Sequence, residues 1–128
     1  MKVKINIIKI KNYRKNSGEL IPIYFDQFKK IKVKRIFFLN IKKNFIRGNH
    51  AHKKTNQIFY QLKGSSELIL SNKKSQKKIG LNEKKKVAVI VKPRTWVQIK
   101  ATSSNCCLMV LCDTDYKKSE YINNFKYL

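Results

Sequence analysis

Arg47-Gly48-Asn49-His50-Ala51-His52-Lys53-Lys54 is the stretch from which the rest of the chain is best read. It holds both histidines of the sequence, two residues apart. In a β-strand residues i and i+2 face the same way, so both imidazoles point to one side of a sheet. The flanking sequence supports a strand. Short apolar runs, alternating and rich in β-branched and aromatic residues, recur along the chain, with Gly and Pro as punctuation. They predict strands over residues 3–10, 19–24, 33–40, 48–52, 57–63, 67–70, 77–81, 87–91, 95–100 and 107–112. Residues 68–70, the polar step Ser71-Asn72-Lys73-Lys74 and the run from Ser75 read as a hairpin. No segment keeps a 3.6-residue apolar period, except that residues 116–125 are read as one or two helical turns at the tail. Roughly ten short strands in about 110 residues predict an antiparallel sandwich or barrel.

The 128 residues, 42% of them apolar, suit a single domain, 1–128, with its own core. No apolar run approaches the roughly 20 residues of a membrane-spanning helix. The N-terminus alternates Lys with Ile and Val and lacks the unbroken apolar stretch of a signal peptide. The expectation is a soluble, cytoplasmic protein with no membrane partner. The formal charge of +23, from 30 Lys and Arg against 7 acids, raises the question of a polyanion partner. Lys, Asn and Ile are abundant together, as an AT-rich coding sequence produces. The lysines fall in scattered groups such as Lys42-Lys43, Lys73-Lys74 and Lys84-Lys85-Lys86, with no single stripe. No RNP-type run of basic and aromatic residues is present. A solvated basic surface without a nucleic-acid partner is expected, one whose field draws small anionic ligands. The three cysteines, Cys106, Cys107 and Cys112, form no Cys-x-x-Cys pair and read as small buried hydrophobes in a reducing compartment.

The order His-x-His, four residues, Gln57, six residues, Gly64 is similar to the first motif of cupin barrels, with Gln where a metal-binding cupin has Glu. Such a cupin takes a further His just after the position of Pro93. Here Pro93-Arg94-Thr95-Trp96-Val97-Gln98 contains none. Zinc and iron sites want three or four protein ligands, and two imidazoles with an amide fall short. No metal and no cofactor are expected, which leaves acid–base chemistry in a jelly-roll pocket.

The longer stretch resembles the R-G-x-H-A-H-K signature of cupin-type nucleotide-sugar 3,4-ketoisomerases, and the resemblance runs through nearly the whole chain. Gly18-Glu19-Leu20 resembles an early G-x-L element, and Lys34-Arg35-Ile36-Phe37-Phe38 a K-R-V-Y-Y strand. Gln57, Gly64-Ser65, and Pro93 with Trp96 in a P-x-x-W turn follow in order. Leu108-Met109-Val110-Leu111, Asp115-Tyr116 and Glu120-Tyr121-Ile122 resemble the closing run. Two departures stand out. Phe37 and Phe38 replace paired tyrosines, so a phenol is missing, and Val97 stands where relatives often carry His.

The resemblance implies an all-β cupin jelly roll acting on dTDP-4-keto-6-deoxyglucose. The ketone would move from C4 to C3 through an enediol or enediolate, in the making of deoxyamino sugars. It implies His50 as the base at the sugar carbons and His52 as a second acid–base group at the oxygens; spacing alone leaves their order open. Arg35 and Arg47 are candidates for the pyrophosphate, because a planar fork of donors suits phosphate oxygens, or else for surface or inter-subunit ion pairs. Gln57 either orients a histidine or sugar, or is a satisfied buried amide. Trp96 lines the pocket or the core, and Tyr116 and Tyr121 close the site from the tail. A homodimer with exchanged N-terminal strands is implied, with Val3, Ile5 and Ile7 packing across the partner. A non-catalytic cupin that binds a sugar nucleotide and a jelly-roll 3,5-epimerase are the alternatives.

Overall fold

A computed structural model describes residues 1–128. Every pairing in it is antiparallel. In chain order the strands are β1 Asn6–Lys9, β2 Tyr13–Lys15, β3 Gly18–Leu20, β4 Arg35–Ile41, β5 Ile46–His52, β6 Gln57–Lys63, β7 Ser65–Ser71, β8 Gln76–Asn82, β9 Val87–Val91, β10 Trp96–Ala101, β11 Cys106–Cys112 and β12 Tyr121–Ile122. One five-stranded sheet runs β1-β9-β6-β11-β4, and it faces a second that runs β12-β5-β10-β7-β8. Strands β2 and β3 form a separate small hairpin. This is the jelly roll expected from the sequence.

Alternation decides which residues meet between the sheets. On β10, Val97, Ile99 and Ala101 are buried while Trp96, Gln98 and Lys100 face outward. The inward set joins Phe59, Leu68, Leu70, Val89, Leu108 and Val110 in the main core. A second, smaller cluster lies on the outer face of the first sheet, where Ile58, Tyr60, Ala88 and Leu111 are covered by Ile10 and Phe28 and flanked by Ile21, Ile23 and Ile31. This is why β6 is buried on both faces from Gln57 to Gln61 and reads as a nearly continuous apolar run.

Two expectations need correction. Residues 19–24 do not form one strand: β3 stops at Leu20. Pro22 has no N–H to extend the ladder, and Ile21 and Ile23 pack onto the second cluster instead. The N-terminal run shortens to β1, which pairs with β9, and Val3 joins the main core ahead of it. The tail has the short helical turns expected of it. It makes 3-10 turns at Lys118–Glu120 and Phe125–Tyr127, with β12 between them.

The decisive irregularity is in β5. Against β10 the register is Ile99↔Arg47 and Gln98↔Gly48, then Val97↔His50, so Asn49 is an extra residue. Gly48 and Asn49 both have positive φ, 93° and 57°. This β-bulge shifts the phase of the strand by one residue. Arg47 and His50 are three apart and would face opposite ways in a regular strand; here both lie opposite inward-facing residues of β10. The side-chain amide of Gln98 donates to Asn49 Oδ1 at 2.9 Å and fastens the bulge from outside. Gly48 has no room for a side chain, since a Cβ would stand 2.6 Å from the Val97 carbonyl oxygen. Gly48→Ala is expected to lower the unfolding free energy by about 1–3 kcal/mol, the range for a residue held in a strained backbone region. A urea titration checks this, and an unchanged midpoint would contradict the tight register.

Candidate active site

One end of the space between the sheets is packed with core side chains, and the other opens as a cavity of about 360 Å³. Its floor is apolar, formed by Phe37, Leu39, Phe59, Val97 and Ile99. Its polar wall consists of Arg35, Arg47, His50, Gln57, Tyr116 and Tyr121. Six of the eight side chains singled out from the sequence thus meet around one space.

The first sheet supplies one wall by register. Arg35 on β4 and Gln57 on β6 both lie opposite Cys112 on β11, so the three side chains form a row on the inner face. Gln57 is buried, and its amide reaches Cys112 Sγ at 3.6 Å, a weak contact. The Arg35 guanidinium sits 5.5 Å from the Phe37 ring centroid and 5.7 Å from that of Tyr116, within cation–π range. Its Nε is buried without a protein partner. Burial works against the charge of Arg35, but Cys112 and Tyr121 beside it outweigh that, and its pKa is raised. Neither Arg35 nor Arg47 makes an ion pair; the chain's salt bridges are Arg14 and Lys86 to Glu19.

The second sheet supplies the histidines. Their rings stand edge to face, with centroids 5.3 Å apart. Burial lowers the pKa of His50; the Gly48 backbone opposes this and the charge of Arg47 adds to it. His50 is therefore a neutral base at pH 7. His52 is pushed down to about 4, chiefly by burial and then by its neighbour His50, with Glu120 opposing.

The sequence reading placed both imidazoles in the cavity, and this is corrected. His50 lines it, whereas His52 is only 3% exposed and does not. The cause is the tail. Strand β12 adds to the free edge of β5 and sets Tyr121 directly opposite His52. The Tyr121 ring lies 4.4 Å from His52 and 4.9 Å from His50, centroid to centroid, and lines the cavity in front of His52. Glu120 fastens this strap: its carbonyl accepts from the Lys53 N–H at 2.9 Å and its carboxylate from the Lys54 N–H. Trp96 is not brought to the cavity. It lies on the outer face of β10, 5.5 Å from the ring of Phe125 in a T-shaped contact, and anchors the tail beyond β12. Tyr116 is 63% exposed at the rim.

Sequence reasoning missed Cys112, Glu120 and the role of Gly48. For Gly48 a signal existed: a Gly-Asn pair inside a strand pattern marks a bulge.

Comparison with known proteins agrees with this geometry. Residues 2–128 match the family described as FdtA: WxcM-like, C-terminal. A curated relative, TDP-4-oxo-6-deoxy-alpha-D-glucose-3,4-oxoisomerase from Aneurinibacillus thermoaerophilus, is 32% identical over 125 residues, 92% of this chain and 89% of the relative. The crystal structure of a His→Asn variant of the 3,4-ketoisomerase QdtA from Thermoanaerobacterium thermosaccharolyticum, in complex with TDP-4-keto-6-deoxyglucose, matches with TM-score 0.90 and 28% identity, over 99% of this chain and 92% of that one. WlaRA, a TDP-fucose-3,4-ketoisomerase from Campylobacter jejuni, matches with TM-score 0.86 and 32% identity, over 98% and 93%.

The lowered pKa of His52 makes stability depend on pH. Between the ordinary value of 6.5 and about 4, the unfolded chain takes up a proton that the folded chain refuses. Stability is therefore full above pH 6.5 and falls as the pH drops. The loss is about 3 kcal/mol by pH 4, taking 1.36 kcal/mol per unit. The difference in unfolding free energy between wild type and His52→Gln should shift by that amount against the wild type from pH 7 to pH 4. Denaturant titrations at both pH values measure it, and a constant difference would mean that His52 titrates normally.

Proposed function

The chain belongs to the FdtA, WxcM-like C-terminal family, and on that premise we propose that it is a 3,4-ketoisomerase of a TDP-linked 4-keto-6-deoxyhexose. The observation that carries this reading is a neutral, half-buried His50 on the wall of the same cavity as two guanidinium groups with no carboxylate partner. The substrate joins a pyrophosphate to a keto sugar. Arg35 and Arg47 bind the anion, the apolar floor takes the faces of the sugar, and His50 reaches a carbon-bound proton.

The reaction needs no change of overall oxidation state. The C4 carbonyl acidifies the proton on C3. His50 removes it, and the electron pair passes through C3=C4 to O4, giving an enediolate. C4 is then protonated, O3 loses its proton, and the ketone stands at C3. His suits the carbon step because its pKa lies near the working pH. One proton must also travel from O3 to O4, and the groups nearest His50 for that task are His52 and the phenol of Tyr121.

The 128 residues act as one domain, and the protein is a homodimer. β1 is an edge strand whose Ile7 is exposed, and Ile36 and Phe38 on β4 leave apolar surface open at the other edge of that sheet. In an exchanged dimer β1 makes its ladder with β9 of the second copy in place of its own. Sedimentation at micromolar concentration should give the dimer mass; a clean monomer would contradict it.

His50→Asn should fold and bind TDP, yet turn over about 100-fold more slowly or worse, and should stop exchange of the substrate's C3 hydrogen with deuterated water. Continued exchange at the wild-type rate would remove His50 as the base. Arg47→Ala should weaken TDP binding by about 1.5–3 kcal/mol, the range for hydrogen bonds to a charged group. Calorimetry reads this directly, and unchanged affinity would place the phosphates elsewhere.

A further inference from the structure

Strand β4 carries Phe37 on its inner face, so that wall of the cavity has no hydroxyl. Of the side chains that line the cavity, Arg35 and Arg47 hold their protons too tightly to move them near neutral pH, and the amide of Gln57 does not titrate. That leaves His50, Tyr116 and Tyr121. Tyr116 stands at the rim, 63% exposed, and one ring further from the histidines, 5.8 Å from Tyr121. His52 is shut in behind Tyr121, and neither of its ring nitrogens has a protein partner.

We propose that Tyr121, delivered by the tail strand, is the acid–base group at the two sugar oxygens, supplying the hydroxyl that β4 lacks. This rests on the isomerase reading. As His50 takes the C3 proton and the electron pair moves to O4, the phenol O–H gives its proton to O4. The resulting phenolate lies beside the Arg35 guanidinium, which stabilises its charge. The phenolate then takes the proton from O3–H as the C3 carbonyl forms, while C4 receives a proton from the His50 imidazolium. One hydrogen has passed from C3 to C4 and one from O3 to O4. Tyr121 and His50 are regenerated, and no oxidant or reductant is consumed. His52 serves as a positioning residue, packed against the ring of Tyr121 and fixing its face toward the cavity.

Tyr121→Phe keeps the ring against both imidazoles and removes only the hydroxyl. Turnover of TDP-4-keto-6-deoxyglucose should fall about 100-fold with KM within about threefold of wild type and TDP affinity unchanged, because the hydroxyl works at the oxygens in the transition state. In deuterated water the variant should still exchange the C3 hydrogen, so that exchange outruns product formation by about tenfold or more relative to wild type. Turnover within about twofold of wild type would overturn the proposal. So would an equal fall in exchange and turnover, or this uncoupling in His52→Asn but not in Tyr121→Phe. A wild-type protein that neither exchanges nor converts the sugar would fail the isomerase reading and this proposal together, whereas an active wild type with an equally active Tyr121→Phe fails this one alone.

Discussion

The site depends on one extra residue in β5. A regular strand from Arg47 to His52 would put Arg47 on the face opposite both histidines, because side chains alternate with a period of two. The bulge at Gly48 and Asn49 resets that phase, so the Arg47 guanidinium and the His50 imidazole share one wall. Only glycine fits at position 48, where the backbone turns to positive φ against the Val97 carbonyl. The Gly in the R-G-x-H-A-H stretch is therefore a geometric requirement for bringing Arg47 and His50 to one wall.

The fold supports this site at an energetic cost. Four buried side-chain polar atoms have no protein partner, and three of them belong to Arg35 and His52. Each such group costs about 1–3 kcal/mol. The close-packed core between the sheets offsets that cost, with Leu68, Val89, Leu108 and Val110 fully buried. Burial keeps His50 and His52 neutral, and the absence of carboxylate partners leaves Arg35 and Arg47 free to meet an anionic ligand. The charge of +23 adds a long-range pull on small anions.

Much of this was legible in the sequence, for physical reasons. β6 and β9 begin and end where the apolar pattern does, because both are interior strands of the first sheet and each residue there meets a neighbour. The segment around Pro22 misled because Ile21 and Ile23 look like a strand face but pack as a loop on the sheet's outer surface. The histidine pair pointed to the site, and the order of motifs pointed to the chemistry. What stayed hidden was long-range. Nothing local in Glu120-Tyr121-Ile122 says that it joins the edge of β5 and screens His52. Trp96 read as a pocket residue because the bulge and the outward phase of β10 are properties of the paired sheet, not of either strand alone.

A crystal structure of this chain with TDP-4-keto-6-deoxyglucose tests the central claim most directly. The pyrophosphate should lie against Arg35 and Arg47, with C3 of the sugar about 3–3.5 Å from a ring nitrogen of His50, the separation of a reactive pair. O4 should face the Tyr121 phenol. A sugar ring seated outside the cavity, such as in the lysine-lined bowl between Lys34, Lys53, Lys54 and Lys117, would contradict it.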